Sequence, residues 1–267
     1  CWPDGLAIDF KDVPVGISRT IPAVPDVEPV FESEALFLRQ IAGAKRHLYI
    51  ESQYFASRKI AEAFARRLAE PDGPEIVIIN PRHAQGWLEP IAMDTARARL
   101  VAALGRRDPY KRLRVYHPIT TGGADIYCHA KILIADTDVL RLGSSNMNNR
   151  SLRLDTECDL VIEAQDEETR ATIARLRAEL LAEHLGVGPA KVARLLDETG
   201  SLIETVERLR GDGKTLDPYQ VPELNAVTEW LADNEVLDPE GAEEMFEPLA
   251  KRGLFRRLRR PHRFTRA

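Results

Sequence analysis

A chain of 267 residues, 44% of them hydrophobic, is long enough for one substantial domain and an extension. Its 37 basic and 42 acidic residues leave a net charge of −5, which argues against broad nucleic-acid binding, a task that needs a basic face. Cys1, Cys128 and Cys158 are too few and too scattered for a disulfide framework or a zinc site, and no run approaches the ~18 uninterrupted apolar residues of a membrane span.

Pro3, Pro14, Pro22, Pro25 and Pro29 mark residues 1–30 as an extended connector with one strand near 13–19. A helix over 31–46 leads to a strand at 47–51, a helix at 58–70 and, after the turn Pro71-Asp-Gly-Pro74, a strand at 75–80. An amphipathic helix over 88–107 and a strand at 113–117 follow. Three strands come next, at 126–136, 139–143 and 155–163, closed by a helix over 166–185 with Gly186 at its C-cap position. This order implies an α/β fold, a mixed β-sheet flanked by helices on both faces. The domain then covers 31–186. Residues 187–250 read as a helical C-terminal extension, with a capping box at Ser201-Leu-Ile-Glu204 and a helix opened by Asp238-Pro239. Residues 251–267 form a basic tail that interleaves apolar and cationic side chains. Such a tail suits an anionic membrane surface, and equally a solvated terminus or one docked on the acidic body.

The run from Ile126 to Asp136 holds the one H-x-K of the chain, His129-Ala-Lys131, in an H-x-K-x4-D pattern. In a strand, Ile126, Cys128, Ala130, Ile132 and Ile134 share an apolar face, and His129 and Lys131 project together from the other. A neutral imidazole can attack phosphorus or pass a proton to a leaving oxygen, and a neighbouring ammonium can hold the phosphoryl oxygens. No metal is needed for either task. Asp136, at an odd offset from His129, reads as the structural anchor of the turn Asp136-Thr-Asp138. Among the carboxylates of the third strand, Asp155, Glu157 and Asp159 share a face, and one of them could orient His129 in a fixed tautomer.

These residues resemble the phospholipase D superfamily, whose signature is H-x-K-x4-D followed by G-[ST]-x-N and a downstream acid. His129-Ala-Lys131, Gly143-Ser-Ser-Asn146 and Glu157 stand at that spacing. The resemblance makes Lys131, Ser144 and Asn146 the phosphate contacts and Glu157 the partner of His129. Upstream, Leu48-Tyr-Ile-Glu-Ser-Gln-Tyr-Phe55 resembles the I-Y-I-E-N-Q-Y-F segment of phospholipid-cleaving members, with Ser52 in place of Asn. Glu51 and Gln53 are thereby expected near the site.

Single-chain members carry two such signatures, and this sequence carries one. The resemblance to the C-terminal half of bacterial phospholipase D implies that His129 is the acid and base, and that a second histidine elsewhere attacks phosphorus. The opening at Cys1, and the likeness of residues 1–22 to the connector after the first signature, point to a missing N-terminal half; a homodimer mate is the other source. The implied substrate is a phospholipid at a membrane surface, with neither cofactor nor metal. Within the superfamily the alternatives are a homodimeric nuclease or a cardiolipin synthase-like phosphatidyltransferase; outside it, a domain that only binds phospholipid or a partner. His47, His83, His117, His184 and His262 read as structural or solvated. No compartment can be read from the sequence.

Overall fold

The computed structural model describes residues 3, 5–23, 26–84 and 93–222. The first part of the predicted 88–107 helix, the helix opened by Asp238-Pro239 and the basic tail lie outside them. The elements are β1 (Gly16–Ile21), β2 (Val30–Phe31), α1 (Glu32–Gly43), β3 (His47–Ser52), α2 (Arg58–Ala69), β4 (Glu75–Ile79), α3 (Thr95–Gly105) and β5 (Leu113–Ile119). There follow β6 (Lys131–Ala135), β7 (Val139–Gly143), β8 (Glu157–Glu163), α4 (Glu167–Leu185), α5 (Pro189–Thr199), α6 (Leu202–Leu209) and β9 (Thr215–Pro218). The strands form one mixed sheet of nine, in the order β2-β1-β8-β7-β6-β3-β4-β5-β9.

Both faces of the sheet centre are covered, so the central strands read as nearly unbroken apolar runs. Every residue of β3 is buried, as are Ile76 to Ile79 of β4. Alternation divides them. Leu48, Ile50, Ile76, Ile78 and Leu133 pack against Phe37, Ile41, Ile60, Phe64 and Leu104 of α1, α2 and α3. Tyr49, Val77, Ile79, Ile134 and Leu140 pack against Ile173, Leu181, Val192 and Val206 of α4, α5 and α6. The helix ends carry the expected signals. Asp166 accepts the Thr169 N–H at 2.7 Å, Ser201 accepts the Glu204 N–H at 3.0 Å, and Gly186 closes α4 at φ +64°.

The topology fixes where the chemistry can sit. β3, β4 and β5 run parallel, whereas β6 returns antiparallel beside β3. β7 and β8 continue as an antiparallel meander. One end of the sheet therefore collects the C-terminal ends of β3, β4, β5 and β7 with the N-terminal ends of β6 and β8. The carboxyl ends of parallel strands are where open α/β sheets take ligands.

Three expectations need correction. The strand expected over 126–136 is regular only from Lys131. β3 gives Lys131 its partner at Ser52 and then leaves the sheet, so residues 126–130 have no neighbouring strand on that side. The strand expected from residue 155 begins at Glu157, after a π-helical turn over Arg150–Leu154. Beyond Gly186 the strand pattern fades from the sequence, but β9 pairs antiparallel with β5 and adds an edge strand.

Candidate active site

Lys131 is the first residue of β6, and Ser52, opposite it, is the last of β3. Where β3 ends, the loop Gln53-Tyr-Phe-Ala-Ser57 runs against the loop Ser144–Asn149, and the two are stitched together. Met147 O accepts the N–H groups of Ala56 at 2.8 Å and Ser57 at 3.0 Å. Asn146 Oδ1 accepts the Gln53 N–H at 3.1 Å. Ser52, standing where the resembling segment has Asn, donates its hydroxyl to Tyr54 O at 2.8 Å and lies 3.4 Å from Asn146 Oδ1.

Gln53 is the hub of this end of the sheet. Its Oε1 accepts Lys131 Nζ at 3.1 Å and Asn146 Nδ2 at 3.4 Å, and its Nε2 donates to the hydroxyls of Tyr127 at 2.8 Å and Tyr54 at 3.0 Å. Lys131 Nζ donates a second bond to His129 O at 2.7 Å. An ammonium has three protons, so the third is available for a phosphoryl oxygen. The exposed His129 ring lies near-parallel to that of Tyr127, 23° between planes and 6.4 Å between centroids. Sequence reasoning missed Tyr127 and Tyr54 as members of this group, although Tyr127 stands two residues from His129.

The other expected residues fall in three places. Ser144, just beyond β7, donates its hydroxyl to the Glu157 carboxylate and accepts the Cys158 N–H at 3.0 Å. Among the described residues Glu157 therefore pairs with Ser144 and not with His129. The ladder accounts for this: Gly143 is registered opposite Asp159, which sets Ser144 level with the start of β8. Asp136 lies at the far end of β6, about 16 Å from Lys131 at ~3.3 Å per residue. Its carboxylate accepts the N–H groups of Lys45, Arg46 and His47 at 2.8 to 2.9 Å. Glu51 is 4% exposed and lies below the H-x-K segment, on the α4 side of the sheet.

Behind Ser144 stands a buried ion pair the sequence did not disclose. Arg141 and Asp159, 1% and 0% exposed at their side chains, meet at 2.9 Å. Asp159 also accepts the Ser145 hydroxyl at 2.7 Å and its N–H at 3.1 Å. A side chain on Gly143 would come within 2.6 Å of Asp159 Cα and Cys158 O, so the close approach of β7 and β8 requires glycine there. The neighbouring Cys158 and Leu160, on the other face of β8, are exposed.

Desolvation, and then the charge of Lys131, hold the His129 imidazole below its ordinary pKa. Lys131 is itself lowered by burial, which the negative charge of Glu157 partly offsets. A depressed pKa makes the imidazolium a stronger acid toward a leaving oxygen. Lys131→Met removes the repelling charge and should raise the pKa of His129, read from a pH titration of its Cε1–H resonance; a midpoint unmoved or lowered would contradict this electrostatic account. Among the described residues no group of three His, Cys, Asp or Glu side chains could hold a metal, and no helix is long and apolar enough to cross a membrane.

The family model described as "Cardiolipin synthase, PLD-like domain" matches residues 37–180. Phospholipase D zeta 2 of Arabidopsis thaliana is 26% identical in an alignment 212 residues long that covers 59% of this chain and 20% of that protein. Phospholipase D alpha 1 of Spuriopimpinella brachycarpa is 31% identical over 101 residues, 35% of this chain and 12% of that one. The chain thus spans a fifth or less of the curated relatives it matches. The solved phosphatidylserine synthase of Haemophilus influenzae aligns at 17% identity and a TM-score of 0.48, over 72% of this chain and 46% of that one. With more than half of its residues matched by the family model, the chain is a member of the phospholipase D superfamily.

Proposed function

We propose that this chain supplies one of two catalytic half-sites of a phospholipase D-type phosphodiesterase, which hydrolyses or transphosphatidylates glycerophospholipids. The observation that carries the reading is the meeting, at one end of the sheet, of the exposed His129 with the Lys131 ammonium and the Gln53 and Asn146 amides. Phosphate is held by Lys131, with Ser144 and Asn146 bordering it. In the first step the imidazolium of His129 donates its proton to the departing alcohol as the P–O bond breaks. The phosphoryl group passes to a second histidine, forming a P–N bond. In the second step neutral His129 takes a proton from water or an acceptor alcohol, whose oxygen displaces that histidine and restores the starting charges.

Two features support a second half-site outside the described residues. The other described histidines are engaged elsewhere: His47 with Gly200 O, His83 with Asp94, His184 with Glu51, and His117 beside Asp217. On the α4 side of the sheet, near the site, Ile17, Leu160 and Leu142 are registered across β1, β8 and β7, and all three are exposed. Scattered exposed apolar residues are ordinary; a continuous row across three strands suits a covering partner.

The test is phosphatidylethanol formation from phosphatidylcholine and ethanol, followed across chain concentration. Formation rising more steeply than linearly assigns the second half-site to another copy of the chain. Formation only on addition of a second H-x-K-bearing half assigns it to that segment. Turnover by a chain that stays monomeric across the same concentrations would defeat the half-site reading, and nucleic-acid cleavage in place of lipid turnover would defeat the lipid reading.

A further inference from the structure

Beneath the H-x-K segment lies a buried polar cluster that the proposed chemistry does not use. Glu51 of β3 accepts the Tyr49 hydroxyl on Oε1 at 2.5 Å. Its Oε2 lies 3.3 Å from His184 Nε2, in the last turn of α4, and accepts the Cys128 thiol at 3.6 Å. A carboxylate withdrawn from water is costly unless it is paired. Here its donors come from β3, from α4 and from the irregular segment ahead of β6. Burial pushes the Glu51 carboxyl up, but the His184 hydrogen bond and charge, with the Tyr49 and Cys128 donors, outweigh it and hold the group below its ordinary value. The Cys128 thiol is pushed up to about 12, first by burial and then by the charge of Glu51, so it remains a protonated donor.

Cys128 immediately precedes His129. Residues 126–130 belong to no strand, so the orientation of His129 depends on local ties rather than on a ladder. Lys131 Nζ holds the His129 carbonyl from one side; from the other, Glu51 holds the side chain of the residue before it. We infer that Glu51, held in turn by His184, is a positioning residue for His129: it fixes Cys128, and through Cys128 the backbone that aims the imidazole. The last turn of α4 thereby becomes part of the support of the site. A supporting shell of this kind decides whether a catalytic group stands in productive geometry. The inference deepens the proposed role of His129 and rests on it for its catalytic consequence, but its geometric claim can be tested without turnover.

The experiment labels histidine in the full 267-residue chain and follows the His129 Cε1–H resonance, assigned with His129→Gln, against pH. Glu51→Gln is expected to displace that resonance and its titration midpoint. In the active assembly it should lower kcat about 10- to 100-fold, the scale of a small misplacement, with KM unchanged. Cys128→Ala cuts the tether while leaving Glu51 and His184 together, and should reproduce the displacement. Cys128→Ser keeps a donor and should retain the wild-type resonance. A His129 resonance unmoved in Cys128→Ala would overturn the inference even if activity fell, as would Cys128→Ser behaving like Cys128→Ala. Should Glu51→Gln fail to fold, the two Cys128 variants decide the matter. A chain without lipid turnover would refute the catalytic reading alone, because the resonance reports on position independently.

Discussion

His129→Ala is expected to reduce phosphatidylethanol formation by at least about 10²–10⁴, the contribution of one positioned acid and base, while leaving the fold intact. Both halves of the expectation come from the same geometry. The imidazole is exposed and lies outside the ladder, so its removal opens no core cavity. The tie that Lys131 Nζ makes to the His129 carbonyl at 2.7 Å is to the backbone and survives the substitution. An exposed side chain of this kind changes stability by roughly 0.5 kcal/mol or less, which for a chain of this size moves the melting temperature by about 2 °C or less. Turnover and thermal unfolding measured on one preparation check the pair of claims. Activity retained would remove His129 from the chemistry, and a large loss of melting temperature would make it a structural residue.

How much of this was legible in the sequence can be argued element by element. β3 and β4 declare themselves because strands buried on both faces carry apolar runs between polar breaks, and α4 because Asp166 and Gly186 bracket it. The H-x-K and G-S-S-N elements are local in sequence, so their spacing could be read directly. What could not be read depends on partners far along the chain. Gln53 bonds residues 74, 78 and 93 positions away, and nothing in its own segment names them. Residues 126–130 alternate as a strand does, but alternation reports which side chains share a face and not whether a neighbouring strand exists. β9 is four residues long and ends in Pro218, a pattern that reads as a turn until β5 supplies the ladder. The reading of Glu157 as the partner of His129 followed from the family resemblance. The register of β7 on β8 instead delivers it to Ser144.

Asp159 is the strongest instance, and it leads to the second large effect. Alternation puts it on a polar face of β8, yet that face is covered, and Asp159 is fully buried against Arg141. The guanidinium also lies 3.7 Å over the Phe37 ring of α1 and donates to Ser145 O at 3.1 Å. Burial lowers the pKa of Arg141 more than any other influence, and Asp159 offsets part of it. Asp159→Ala would leave that cation buried without its counter-charge, which typically costs about 3–5 kcal/mol, and a melting temperature lower by roughly 6–20 °C follows for a domain of this size. It would also strip Ser145 of the acceptor for its hydroxyl and its N–H, loosening the loop that carries Ser144 and Asn146, so KM should rise in the protein that remains folded. Replacing both partners by apolar side chains, as in Arg141→Met with Asp159→Leu, separates the two roles. A buried pair exchanged for apolar residues of similar volume is often neutral in stability, so the double variant should recover most of the melting temperature. It should not recover KM, because neither new side chain can hold Ser145. A single variant that loses less than about 1 kcal/mol, against the cost expected of an unpaired buried charge, would sink the stability claim. A double variant with wild-type KM would show that the loop is held without Asp159, by its stitches to segment 52–57 and to the start of β8.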